Sequence, residues 1–138
     1  AYDLVSLGND YQDIGSGLIG TLPDPMEETQ FLRMLMTSFG LSMVKHTPFL
    51  GKNIQKVAIC GGSGSFLTGK ALSKGADIYI SADFKYHEFF DANDRMVIAD
   101  IGHWESEQFT TDLLIDVLQA KFPTFAVLKS EVKTNPVN

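Results

Sequence analysis

What the sequence lacks narrows it first. Cys60 is its only cysteine in 138 residues, so no internal disulfide can form. A lone thiol fits a reducing compartment, and a cytoplasmic protein is expected. Basic residues are few: 11 Lys and Arg stand against 17 Asp and Glu, a net charge of −6. That balance argues against direct nucleic-acid binding, which needs a basic face for phosphates. It leaves room for a small anionic or nucleotide substrate, which needs only a local positive site. No apolar run reaches the roughly 18 residues of a membrane helix, and no basic-then-apolar leader opens the chain. No Lys-Ser or Lys-Thr follows Gly64 at Walker spacing, and the turn at Gly61 to Ser65 does not read Gly-x-Gly-x-x-Gly. There is no internal repeat, low-complexity run or linker. What remains is 44% hydrophobic, an ordinary globular value, and long enough for one domain with a core over residues 1–138. The chain opens on Ala1 and runs at once into strand-like residues, as a fragment or a processed chain would.

Leu4, Val5 and Leu7 predict a short strand, and 18–22 a second. Asp24 as cap, Pro25 in the first turn and Glu27 three residues after the cap predict a helix start. Phe31, Leu32, Leu35, Met36 and Phe39 continue it at helical spacing until Gly40. Residues 42–47 form a weaker strand candidate. From there apolar strands at 54–60, 77–81 and 96–100 alternate with helical segments, and Gly75 stops the first of those. The longest helix is expected over 105–122, with Phe109, Leu113 and Val117, and Leu114 and Leu118, as adjacent rows. Pro123 ends it, and 125–129 is the last strand candidate. The alternation predicts an α/β fold: a mostly parallel sheet with helices on both faces, in three layers.

In open α/β sheets ligands sit outside the carboxyl ends of the strands. The polar residues converge there. Gly61, Gly62, Ser63 and Gly64 follow one strand, Asp83, Lys85 and His87 the next, and Asp100, His103 and Glu107 the third. His103 and Glu107 are four apart, which places them on one helix face. An imidazole and a carboxylate suit Zn, Mn, Fe or Ni. Equally, the histidine caps the long helix and the glutamate favours its positive end. Asp83 and His87, again four apart, read either as ligands, acid–base groups or a substrate clamp, or as a surface turn. Lys85 is placed to meet a substrate anion, or is simply solvated. The glycine-rich segment offers backbone N–H groups to a phosphate or carboxylate, or is only a tight turn. Cys60, on a buried strand, reads as core. His46 has no evident partner, and Trp104 reads as packing or pocket wall.

Taken in order, three blocks resemble a known family. They are Val57-Ala58-Ile59-Cys60-Gly61-Gly62-Ser63-Gly64-Ser65, then Gly75 through His87, then Asp100-Ile101-Gly102-His103-Trp104-Glu105-Ser106-Glu107. Thr134-Asn135-Pro136-Val137, Gly15 to Gly20 and Pro25-Met26 fit as well. The chain is similar to the C-terminal portion of the NIF-three-like family of hexameric proteins with dinuclear metal centres, the GTP cyclohydrolase 1 type 2 homologues. The resemblance implies a three-layer α/β fold, a toroidal homo-hexamer and two divalent metals per subunit. It implies that His103 and Glu107 are metal ligands, with Asp83, Lys85 and His87 near the cleft as catalytic candidates and 61–64 facing substrate. The family takes its other ligands from an N-terminal half, as a consecutive His pair and an Asp. No His-His occurs here. A complete centre then needs ligands from another chain, and activity would be that of a metal-dependent hydrolase. The rival expectation is a non-catalytic, oligomeric metal-binding or protein-interaction module.

Overall fold

The computed structural model describes the backbone of residues 5–7 and all of residues 15–137. Two compact units are distinguished, Ala1–Ser106 and Glu107–Asn138. In the first, six strands form one sheet in the order β1-β2-β4-β5-β6-β3 among the described residues. They are β1 (Val5–Leu7), β2 (Gly17–Glu27), β3 (Lys45–His46), β4 (Asn53–Ser63), β5 (Ile78–Ala82) and β6 (Val97–Asp100). β4, β5 and β6 are parallel neighbours at the centre. β1 and β2 extend one side antiparallel, and β3 caps the other, antiparallel to β6. The α/β expectation is met with a parallel centre and antiparallel flanks.

Strand alternation sorts the core onto two faces. Ile78, Ile80, Val97 and Ala99 point to one side and pack with Phe31, Leu32 and Leu35 of α1 (Glu28–Phe39). Tyr79, Ile98, Ala58 and Cys60 point to the other, against Leu67 and Ala71. Those two come from the 3-10 turn Ser65–Leu67 and from α2 (Thr68–Ser73). The 3-10 segment Tyr86–Ala92 joins that face through Phe89 and Ala92. Helical elements therefore cover both faces.

Several local expectations are corrected. The helix does not start at Asp24-Pro25. β2 runs on through both prolines, with its register against β4 shifting between Thr21 and Met26. Proline cannot donate to a ladder and is tolerated at such an irregularity. Glu27 caps α1 instead, its carboxylate accepting from the Gln30 N–H at 2.9 Å and the Thr29 hydroxyl at 2.8 Å. Gly40 ends α1 in the left-handed conformation, as expected. The strand expected over 42–47 shrinks to Lys45–His46. The single helix expected over 105–122 is instead α3 (His103–Glu107) and α4 (Thr110–Lys121). Residues 125–129 form no strand.

In the second unit α4 buries no residue, and Leu113, Leu114, Val117 and Leu118 are exposed. Lys129 and Asp112 form an ion pair within it at 2.5 Å. Among the described residues no helix is long and apolar enough to cross a membrane.

A carboxylate and an imidazole at the carboxyl edge of the sheet

Each of the three parallel strands ends at the same edge, and each has a residue in the left-handed backbone region at or just beyond its end. These are Gly62 near the end of β4 (φ 63°), Asp83 after β5 (φ 58°) and Gly102 after β6 (φ 87°). Glycine adopts that region freely. Aspartate does so at a cost of order 1 kcal/mol, and such strain persists only where the surroundings enforce it. The conformation at Asp83 turns the chain sharply after β5, and its side chain meets α3.

There Asp83 Oδ2 lies 2.6 Å from His103 Nδ1. Both side chains are about half exposed. The contact is an ion pair when the imidazole is protonated and a hydrogen bond when Nδ1 carries the only ring proton. His103 is the first residue of α3 and Glu107, also exposed, is its last. Asp83, grouped with His87 by its spacing of four, meets His103. Lys85 and His87 are exposed on the segment that follows; among the described residues neither joins the pair. Lys85 is held through its backbone N–H, which donates to Glu88 Oε2 at 2.7 Å. That donor, helped by the Ser65 hydroxyl, keeps the Glu88 carboxyl below its ordinary pKa despite some desolvation.

The glycine-rich segment serves the edge structurally. The Gly62 N–H donates to Ser106 Oγ at 2.8 Å, and the Ser106 hydroxyl donates to the His103 carbonyl at 2.8 Å. The Gly62 carbonyl accepts from the buried Ser81 hydroxyl at 3.0 Å. The Gly64 carbonyl accepts from Tyr79 OH at 2.7 Å. A Cβ on Gly64 would collide with the Ser81 hydroxyl and sit 2.7 Å from Tyr79 OH. Close approach demands glycine there. Burial pushes the Tyr79 phenol up from its ordinary value. Gly61 and Ser63 are exposed on β4.

Asp100, at the end of β6, is buried. Its Oδ2 accepts from the Phe84 N–H at 3.2 Å and its Oδ1 from the Gly102 N–H at 3.1 Å. Sequence spacing marked Asp100 as part of the edge but gave it no task. Ser106 was missed altogether, and nothing in the pattern Glu105-Ser106-Glu107 singles it out. Cys60 is core, as expected, with its thiol donating to the Ser16 carbonyl at 3.1 Å. His46 finds a place elsewhere: its ring stacks on Phe49 at 4.6 Å and its Nδ1 lies 2.7 Å from the Thr47 carbonyl. It lines a cleft of about 520 Å³ with Pro48, Tyr86, Phe89, Phe90 and Met96.

The fold and edge define a class: an α/β domain that gathers a carboxylate, an imidazole and three tightly turned loops where such sheets bind their ligands. The family profile described as Duf34/NIF3 (NGG1p interacting factor 3) matches residues 4–136, and the chain belongs to that family. A protein of Halalkalibacterium halodurans named GTP cyclohydrolase 1 type 2 homolog is 34% identical over 140 residues. The alignment covers 99% of this chain and 38% of that protein. A Listeria innocua protein of the same name is 33% identical, with the same coverage. A solved Bacillus cereus protein related to NIF3 superposes with a TM-score of 0.74 at 30% identity, over 90% of this chain and 35% of that one. The chain thus spans 38% of the length of each of these two curated relatives.

Proposed function

We propose that this chain supplies part of a divalent-metal site in a hydrolase of the kind its relatives' name indicates, with His103 and Glu107 as metal ligands. The observation that carries the reading is the 2.6 Å contact between Asp83 and His103 at the carboxyl edge of the sheet. Metal-ligating histidines are commonly held by a carboxylate on the ring nitrogen that does not face the metal, which fixes tautomer and orientation. Asp83 meets His103 in that manner, and its strained backbone is what brings it there. The donor chemistry fits Zn, Mn, Fe or Ni. The donor number falls short: among the described residues no group of three or more His, Cys, Asp or Glu is arranged to hold an ion. A stable centre takes three or four protein ligands. The remainder would come from polypeptide beyond this sequence, in keeping with a chain that spans 38% of the Halalkalibacterium halodurans relative.

A bound divalent ion would supply an activated water and a polarised substrate. This chain's own residues do the rest. Asp83 holds His103 Nδ1. His87, exposed after β5, would exchange a proton with substrate, and Lys85 beside it would meet an anionic or nucleotide group. The 61–64 segment would shape the wall facing that group. Its Gly62 N–H is already engaged by Ser106, so the wall's recognition rests more on Lys85 than on a backbone cradle.

Zinc and manganese titrations by calorimetry test the ligand pair, with a His103→Ala, Glu107→Ala double variant alongside. Heat present in the chain and gone in the double variant supports the reading. Equal heat in both sinks it. Turnover of GTP and of simple phosphoesters by a protein of the relatives' full length, with metal added, tests the hydrolase half.

The second reading is an oligomeric, non-catalytic metal-binding or interaction module. What favours it is α4, whose Leu113, Leu114, Val117 and Leu118 are 42–63% exposed. Apolar rows of that kind mark surfaces that meet another chain. A homo-oligomer, a hexamer on the family resemblance, would use them. An assembly that survives metal stripping, with no turnover restored by metal, would favour this module.

A further inference from the structure

We infer that Asp100 is the positioning residue of the edge: one buried carboxylate that sets the Asp83–His103 contact by holding both loops that carry it. The inference rests on the reading of Asp83 and His103 as the working pair. Asp100 is 5% exposed. Its two oxygens accept from two backbone donors far apart in sequence, Phe84 at 3.2 Å and Gly102 at 3.1 Å. Phe84 directly follows Asp83, and Gly102 directly precedes His103. Asp83 has positive φ at a non-glycine position, so its loop needs an external hold, while Gly102 takes its positive φ freely and is fixed by the hydrogen bond to Asp100. Lys45 Nζ, on the paired strand β3, also lies 3.9 Å from its Oδ2.

Only a carboxylate can satisfy both donors. An asparagine in its place has one accepting oxygen, and its NH₂ would face the second N–H, donor against donor. One loop must then move, and the Asp83–His103 distance moves with it. Glu28 supplies the control. It too is a 5% exposed carboxylate bridging two loop amides, Leu50 at 2.8 Å and Gly51 at 3.0 Å, but neither amide adjoins a site residue. A purely structural carboxylate should behave like Glu28.

The experiment is a long-range proton–nitrogen correlation spectrum of the three imidazoles, at one fixed pH and without metal. The chain itself is compared with Asp100→Asn, Glu28→Gln and Asp83→Ala. The expected result is that Asp100→Asn moves the ring nitrogens of His103 towards their positions in Asp83→Ala. His46 and His87 should stay in place, and Glu28→Gln should move none of the three. His103 signals unchanged in folded Asp100→Asn, or moved equally by Glu28→Gln, would overturn the inference. Should Asp100→Asn not fold, the unsubstituted chain decides the matter in a urea series below its main transition. Amide protection at Phe84 and Gly102 should then be lost together with the ordered His103 ring pattern. Loss of one well before the other overturns it. Because no metal is present, metal heat that persists unchanged in the His103→Ala, Glu107→Ala variant defeats the metal reading and leaves this inference standing, and the reverse also holds.

Discussion

The units Ala1–Ser106 and Glu107–Asn138 use the same apolar residue types and give them opposite fates. In the first, Tyr79, Ile78, Met96, Val97 and Ile98 are at most 1% exposed. In the second, Leu113 is 63% exposed and Leu128 89%. Both units carry regular periodicity. The difference is a partner: each central strand has neighbours on both sides and helices on both faces, whereas α4 buries nothing. Periodicity is enough to form an element, and a second surface is needed to bury it.

The sharpest test of that contrast sets one core side chain against one on α4. Ile98→Ala should cost about 2–5 kcal/mol in urea unfolding, the range for a buried aliphatic truncated to a cavity. Leu114→Ala should stay within about 0.5 kcal/mol, as exposed substitutions do. A loss at Leu114 that matches Ile98 would break the comparison and show that α4 is covered in solution, which favours the oligomeric module.

The next effect in size compares two glycines of the same unit. Gly64→Ala places a Cβ 2.7 Å from Tyr79 OH and 2.9 Å from Cys60 Cβ, and against the Ser81 hydroxyl. Overpacking of this sort costs about 1–3 kcal/mol. Gly69, in α2, has nothing within 4 Å of its added Cβ, so Gly69→Ala should gain roughly 0.5–1 kcal/mol from helix propensity. Thermal or urea midpoints would show the two alanines moving in opposite directions. If both destabilise, the space around α2 is not what the structure shows.

These contrasts also mark what was legible in sequence. The β-branched runs at 54–60, 77–81 and 96–100 became β4, β5 and β6 because local pattern and tertiary demand agreed there. The run at 125–129 looks alike and forms no strand, since a strand exists only by pairing and pairing is not written locally. The break between α3 and α4 carries no glycine or proline to announce it. The edge itself was legible, because three strands ending in polar residues must present them together. The pairing within it was not. Spacing of four joined Asp83 to His87 and His103 to Glu107. The structure joins Asp83 to His103 across twenty residues, through a left-handed aspartate that no i, i+4 rule anticipates. Asp100 and Ser106 act through backbone groups, which spacing rules do not weigh.

The smallest expected effects separate two adjacent carboxylates, Glu27 and Glu28. Glu28 is buried and accepts from Leu50 and Gly51, so Glu28→Gln leaves one amide unmatched and should cost about 1–3 kcal/mol. Glu27 is exposed and caps α1. The Thr29 backbone N–H, then its hydroxyl, then the Gln30 N–H hold its carboxyl below the ordinary value of 4.5. The sign follows from that direction. A group with a depressed folded pKa contributes stability that is present above the unfolded value and is lost as pH falls through the folded one. Glu27→Ala should therefore lower the urea midpoint slightly at pH 7. The gap to the unsubstituted chain should hold until pH drops below 4.5 and then close. Solvent screening keeps the gap small, well inside that of Glu28→Gln. A gap that persists unchanged into acid would show that Glu27 acts through packing rather than as a charged cap, and the start of α1 would then need another explanation.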